Sequence, residues 1–414
     1  MKEWKIYKIA DIVDEISMGP FGSNIKVENF ISEGIPVLNG SNLQGYRLNE
    51  DSFNYVSEEK ANSLGKANAY RGDVVITHRG TLGQIIYIPD DSKYERYVIS
   101  QSQFRLKLKK EIVRPDFLVY YFHTAIGQHK ILMNASQVGV PALARPTSTF
   151  REVTLPIPTM DIQNKIMDIL LSIDGKLTIN KRINDNLEQQ LQSLYREWFI
   201  ENPKADWTTV NLSEIASFTS GYSYKGNELV ESSDTAMATI KNFERNGGFK
   251  IDGYKPIVPS AKLKIDQRAQ LFDILVAHTD LTQNAEVIGN AEILLSKDIY
   301  KELIFSMDLV KVSAKDSFPF QFLLALLLKN PRFKSHCIGY VNGTTVLHMN
   351  KRALPDYETI IPNSEDAQSL NATAKAIFCQ MSENLTEISN LTKLRDTLLP
   401  KLLSGELKIN EIDC

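Results

Sequence analysis

Residues 158–177 read PTMDIQNKIMDILLSIDGKL, and residues 362–385 read PNSEDAQSLNATAKAIFCQMSENL. In the first stretch the apolar residues Ile162, Ile166, Ile169, Ile173 and Leu177 are spaced 4, 3, 4, 4. In the second, Leu370, Ala374, Ile377, Met381 and Leu385 repeat the same 4, 3, 4, 4. That period is one face of an α-helix. The first stripe resumes at Leu187, Leu191, Leu194 and Trp198, and the second at Ile388, Leu391, Leu394 and Leu398. Sustained over several turns, such a stripe is a coiled-coil seam. The spacing predicts two helices of about 40 and 35 residues, the first roughly 60 Å long. Thr159 and Ser364 are the expected N-caps, and Asn202-Pro203 stops the first helix. Gly175 weakens that helix by about 1 kcal/mol and is expected to mark a bend. Pro400 is expected to kink or end the second, with Gly405 as its C-cap. Asn180 or Asn184 is expected to fix register by pairing across the seam.

Outward from these helices the chain repeats itself. Trp4 to Ile12 is matched by Trp207 to Ile215, and the turn Gly19-Pro20-Phe21-Gly22-Ser23 by Gly221-Tyr222-Ser223-Tyr224. Asp73 and His78 recur as Asp273 and His278 around the strand candidates Val74-Val75-Ile76 and Ile274-Leu275-Val276. Leu155 to Pro158 recurs as Thr359 to Pro362, Gln163 as Gln368, and Asn186-Leu187 as Asn390-Leu391. The order is kept and the offsets lie between 200 and 205, which makes the chain a tandem duplication. Side chains between the anchors differ widely, so the copies share a fold and differ in what they contact.

The expected fold is α+β. In each copy a globular mixed α/β domain precedes a long helix, and the two helices pair antiparallel. Expected boundaries are 1–158 and 204–362 for the globular domains, 159–203 for the first helix and 363–414 for the second helix and tail. Ile85-Ile86-Tyr87-Ile88 is a further strand candidate, and Phe117–Phe122 and Phe320–Leu328 read as helices packed on strands.

With 414 residues, 43% hydrophobic and 23% charged, the composition is that of a globular protein of two or three domains. No run of about 18 uncharged apolar residues exists, and the N-terminus lacks a signal-peptide core, so a cytoplasmic protein without membrane contact is expected. Cys337, Cys379 and Cys414 are too scattered for a disulfide framework or a metal knuckle. The net charge of −3 gives no sign of nucleic-acid binding, so a basic surface must be local or come from a partner.

Catalytic motifs are missing. There is no HExxH, no zinc-spaced His/Cys set and no GxSxG elbow. Gly40 to Tyr46 and Gly221 to Asn227 imitate the start of a phosphate loop but lack the Lys-Ser/Thr that must follow. Asn202-Pro203-Lys204 and Asn330-Pro331-Arg332 do not fit the Asn/Asp-Pro-Pro-Tyr/Phe loop of adenine methyltransferases. No catalytic or metal-ligating residue is expected.

Taken together, these features resemble the specificity subunit of Type I restriction-modification systems. The carriers are Gly19 to Ser23, Gly72-Asp73 with Arg79-Gly80-Thr81-Leu82-Gly83, Leu155 to Pro158 with Gln163, and above all Leu394-Arg395-Asp396-Thr397-Leu398-Leu399-Pro400-Lys401-Leu402-Leu403-Ser404-Gly405-Glu406-Leu407. The second copy departs from the pattern where Thr279-Asp280-Leu281-Thr282 replaces Arg79 to Leu82. The resemblance implies two target recognition domains, each reading one half of a split, asymmetric site in double-stranded DNA. The helices set the gap and dock two methylation subunits that bind S-adenosylmethionine and flip the target adenine. A restriction subunit that hydrolyses ATP with Mg²⁺ joins the complex, and this chain holds no cofactor and is non-catalytic.

Base edges are read by Arg, Lys, Asn and Gln above all, so loops at the repeat anchors supply the candidate contacts. In the first copy these are Ser23, Asn24, Lys26, Asn42, His78, Arg79, Thr81, Ser136 and Gln137. In the second they are Tyr222, Tyr224, Lys225, Lys241, Asn242, His278, Thr279, Asn342, Thr344 and Thr345. Helix faces around Lys181-Arg182 and Tyr195-Arg196 are candidates for the methylation subunit. The competing readings are a stand-alone bipartite DNA-binding regulator of the same fold, an enzyme with an unrecognised site, and a coiled-coil protein scaffold.

Overall fold

The strands Val74–Thr77 and Ile274–Ala277 consist of buried residues throughout, because each lies at the centre of a sheet covered on both faces. Alternation divides the load between the faces. Val74 and Ile76 pack with the helix Pro115–His123, while Val75 packs with Tyr97 of a second sheet and with Leu38, which follows that sheet's Ile35–Val37 strand. Ile274 and Val276 do the same against Gln321–Leu328, with Leu275 and Ala277 facing the second sheet of their own copy. Fully burying a Val, Leu or Ile side chain stabilises by roughly 1.5–3 kcal/mol, so these strands anchor the folds.

The computed structural model describes residues 4–20, 24–133, 135–136, 140–282, 284–344 and 346–407. The chain divides into two compact units, Met1–Gly175 with Lys393–Cys414, and Lys176–Thr392. Both cuts fall inside the long helices.

The first unit has an antiparallel sheet ordered Val13–Met18, Gln103–Leu108, Val74–Thr77, Ile85–Tyr87. Its second sheet is ordered Asn54–Val56, Ile35–Val37, Arg96–Val98, Asn68–Tyr70, with one parallel pairing between Ile35–Val37 and Arg96–Val98. Trp4–Lys8 pairs with Thr154–Pro158, and Ala135–Ser136 with Ala142–Leu143. The second unit repeats this plan. One sheet runs Ala216–Ser220, Leu309–Ala314, Ile274–Ala277, Ala291–Ile293, and the other Lys255–Pro256, Thr235–Ala238, Glu302–Phe305, Arg268–Ala269. Thr208–Asn211 pairs with Glu358–Ile361. The duplication read from the sequence is therefore a duplication of topology.

Small departures have local causes. Gly72 has φ +87°, and its counterpart Phe272 adopts φ +71°. A non-glycine there costs roughly 1–2 kcal/mol. The following carboxylate is conserved in role. Asp73 accepts the Tyr70 N–H and pairs with Arg105 at 3.1 Å, while Asp273 accepts the Gln270 N–H and pairs with Lys311 at 3.5 Å.

The first long helix spans Met160–Arg196, ends in a wider turn at Glu197–Glu201, and stops at Asn202-Pro203. It runs through Gly175 without interruption. The second spans Ser364–Ser404, so Pro400 lies inside it, and Gly405 closes it at φ +74°. Its cap is Asn363, whose Oδ1 accepts the Asp366 N–H at 2.9 Å; Ser364 is already helical.

Within the second unit the helices run antiparallel. Asn384 Nδ2 donates to Asn184 Oδ1 at 2.8 Å, and Asn180 Nδ2 to Glu387 Oε2 at 2.8 Å. Both expected asparagines thus pair across the seam. Within the first unit, Leu399, Leu402 and Leu403 are buried against Ile166, Met167 and Leu170. Leu394, assigned to the apolar stripe, is 47% exposed. Arg395 faces inward instead, 3.1 Å from Asp174 and over the Tyr46 ring. The partner of Gln163 also differs from expectation. Buried Gln163 bonds Ile112 O, Pro158 O and the Arg114 N–H, tying helix to domain. In the second unit Asn371 does this by accepting the Phe322 and Leu323 N–H groups, while Gln368 is exposed.

Candidate nucleic-acid interface

At the end of the first unit's central strand, His78 joins separate loops. Its N–H donates to Ser102 O at 2.8 Å, its carbonyl accepts the Leu143 N–H at 2.9 Å, and its Nε2 lies 3.1 Å from Gln101 O. Gly80 N–H donates to Pro141 O at 2.9 Å. Thr81 Oγ1 donates to Gln84 Oε1 at 2.6 Å, and Gln84 Nε2 to Gly40 O at 3.1 Å, which adds the loop at Gly40–Leu43. Gly19 N–H donates to Gln103 O at 2.8 Å. A Cβ on Gly19 would stand 1.9 Å from Ser100 O, so only glycine allows this approach.

The second unit assembles the same loops. His278 N–H donates to Asp308 O at 2.8 Å, and its carbonyl accepts the Met349 N–H at 2.9 Å. Ser306 N–H donates to Ala238 O at 2.9 Å, and Met307 N–H to Tyr222 O at 2.9 Å. A Cβ on Gly221 would lie 2.0 Å from Ser306 O. The departure at Thr279-Asp280 is structural: these residues form a strand paired with Leu347–Met349, and Asp280 is buried, accepting the Thr282 and Val287 N–H groups.

The electrostatics match in the two clusters. Burial holds His78 below the ordinary histidine range, with Arg79 adding to the shift. Burial does the same to His278, helped by His348 and Lys351. Each imidazole is thus biased to its neutral form beside cationic neighbours.

Asn24, Lys26, Arg79, Thr81 and Ser136 are exposed in the first unit, as are Lys225, Lys241, Asn342 and Thr344 in the second. His78, His278 and Tyr224 are half-buried. Lys26 pairs with Glu28 at 3.4 Å. Ser23, Gln137 and Thr345 lie outside the described residues.

Asn42, Asn242, Tyr222 and Thr279 are buried, which corrects the expectation that they face a ligand. Asn42 Nδ2 donates to Asn49 O and Ser52 O, and its Oδ1 accepts the Asn39 N–H. Asn242 Nδ2 donates to Lys250 O while its Oδ1 accepts the Thr239 N–H. Both amides are spent holding loops. The Tyr222 hydroxyl donates to Glu228 Oε1 at 2.7 Å, and Thr279 Oγ1 to Asp308 Oδ1 at 3.0 Å. Of the candidate helix faces, Lys181, Arg182 and Arg196 are exposed, but Tyr195 stacks on Phe199 and packs against the core.

The sequence reading passes over Arg145 and Lys351. Arg145 is exposed, has φ +46°, and follows the Ala142–Leu143 strand. Lys351 follows the equivalent strand Leu347–Met349. A cation after each hairpin was the available signal. No group of three or more His, Cys, Asp or Glu that could hold a metal exists among the described residues, and no described helix is long and apolar enough to cross a membrane.

Residues 1–189 match the Type I restriction modification DNA specificity domain. The chain is 25% identical over 481 residues to the Type I restriction enzyme HindI specificity subunit of Haemophilus influenzae, covering 98% of this chain and 100% of that one. It is 23% identical over 436 residues to the MjaIX specificity subunit of Methanocaldococcus jannaschii, covering 99% and 95%. The crystal structure of a Type I restriction-modification system S subunit from M. genitalium has the same fold, with a TM-score of 0.59 at 17% identity over 97% of this chain and 96% of that one. Duplicated topology, paired long helices and these likenesses agree: residues 1–189 match the Type I restriction modification DNA specificity domain, and the chain is similar over nearly its whole length to Type I specificity subunits.

Proposed function

We propose that each unit reads one half of a bipartite, asymmetric site in double-stranded DNA and that the paired helices set the gap between the halves. The observation that carries this reading is the same loop cluster built twice, with the backbone anchors kept and the exposed side chains changed. Equivalent scaffolds with different tips recognise different half-sites, and a fixed separation imposes a fixed spacing. Exposed Arg79, Arg145, Lys241 and Lys351 supply phosphate contacts, which position the protein, while polar tips read base edges.

The chain performs no chemistry in this reading. Two methylation subunits carry S-adenosylmethionine and modify adenines, and restriction subunits supply the ATP- and Mg²⁺-dependent step. A net charge of −3 leaves those partners to provide part of the phosphate-neutralising surface. The isolated chain therefore binds DNA weakly and with strong salt dependence.

Co-expression with the methylation subunit in a methylation-free host, followed by mapping of modified adenines, tests the proposal. One split motif with one fixed gap is the expected result, and exchanging one unit should change one half-site alone. Tight, sequence-specific binding by the isolated chain would favour the stand-alone regulator instead.

A further inference from the structure

The strand Gln103–Leu108 of the first unit corresponds to Leu309–Ala314 of the second, an offset of 309 − 103 = 206. The turn before each strand corresponds residue for residue. Ser100 O lies where a Cβ on Gly19 would stand, and Ser306 O where a Cβ on Gly221 would stand. Ser102 O accepts the His78 N–H, and Asp308 O accepts the His278 N–H. Gln101 and Met307 therefore occupy the same place, at the tip of a turn between the two sheets of each unit.

These tips are rigidly mounted. The glycine approach holds one side of each turn and the histidine amide the other. The His78 ring adds a contact to Gln101 O, while Thr279 Oγ1 bonds the Asp308 carboxylate in the second unit. This gives the repeated histidine a role: it braces the tip. What the tips present is opposite in chemistry. Gln101 is an exposed amide, whereas Met307 leaves an apolar side chain 56% exposed among polar loops.

We propose that these equivalent positions determine specificity, with Gln101 hydrogen-bonding a base edge in one half-site and Met307 packing on a thymine C5-methyl in the other. The proposal rests on the DNA-reading function argued above. A glutamine amide matches the donor and acceptor of adenine in the major groove. The thymine methyl is the apolar feature that the same groove offers, and a methionine adapts to it.

The test uses the full chain assembled with its methylation subunits, on duplexes carrying the site found by methylation mapping. Each thymine is replaced in turn by deoxyuridine, which lacks only the methyl. The wild-type complex should lose roughly fourfold in affinity at one thymine of one half-site, the value of one buried methyl. Met307→Ala should be indifferent to that replacement. Gln101→Ala should lose roughly tenfold in discrimination at one base pair of the other half-site. Both residues are exposed on turns, and melting curves verify that the variants fold. An identical uridine profile for wild type and Met307→Ala, or uniform weakening of all duplexes by Gln101→Ala, overturns the proposal. Absence of any sequence-specific methylation by the wild-type complex overturns the DNA-reading function itself, and is distinguishable from both.

Discussion

Lys329 lies at the C-terminal end of the helix Gln321–Leu328 with its ammonium buried between Glu292 and Glu188. Burial alone pulls its pKa down, but the two carboxylates outweigh it and hold it above the ordinary lysine value. Glu292 is a sheet residue whose side chain is 4% exposed and which also accepts the Gly248 N–H at 2.6 Å. Glu188, on the first long helix, is 3.3 Å from the ammonium. Lys329→Met removes the cation while keeping the volume. It strands the Glu292 carboxylate, and losing one member of a buried ion pair costs about 3–5 kcal/mol. The remaining Gly248 bond argues for the lower end, about 3 kcal/mol. In a unit of some 200 residues that lowers Tm by roughly 6–12 °C. Replacing all three, as Lys329→Met with Glu292→Gln and Glu188→Gln, leaves no uncompensated charge and should recover most of the loss. Calorimetry of the three proteins at pH 7 decides it. A Lys329→Met protein that melts within about 2 °C of wild type, or a triple variant no more stable than the single, would refute the account.

Three further outcomes are expected. Asn184→Leu leaves buried Asn384 short of a partner for its amide and should cost about 1–3 kcal/mol, whereas Asn184→Leu with Asn384→Leu should be far less destabilising; denaturant titration checks both. Asn42→Ala frees two backbone carbonyls and an N–H, and Asn242→Ala one carbonyl and an N–H, from a buried amide, so each should destabilise by about 1–3 kcal/mol and weaken DNA binding without altering the methylated sequence. Glu228 is held down to about 2 by the Lys225 N–H, the Tyr222 hydroxyl and Ser260. Its folded pKa is below its unfolded value, so its contribution is complete above about pH 4.5 and disappears as pH falls through about 2. Glu228→Gln should remove that part of the acid dependence, read by thermal melting from pH 6 to pH 2.

The duplication and the helices were legible because both rest on periodic or repeated apolar residues, which report burial directly. Leu155, Ile166, Val276 and Ile377 are buried where the pattern puts them. Leu394 was misread because apolar spacing cannot reveal that Arg395, paired with Asp174, takes the inward face there. Loop chemistry was less legible. Asn42 and Asn242 have the residue type of a base reader, yet a short amide serves a turn equally well, and only burial separates the two uses. Gln101 and Met307 escaped notice for the converse reason. They share no residue type, and their equivalence appears only when strand register aligns the turns.

The segment from Lys393 onward belongs to the first unit, where Leu399, Leu402 and Leu403 complete its core. During synthesis that core stays open while more than 200 intervening residues are made. The first reader is thus finished after the second, and a nascent chain released early carries an unfinished apolar face rather than a working half. A chain cut short before residue 399 leaves Ile166, Met167 and Leu170 of the first long helix without the leucines that cover them.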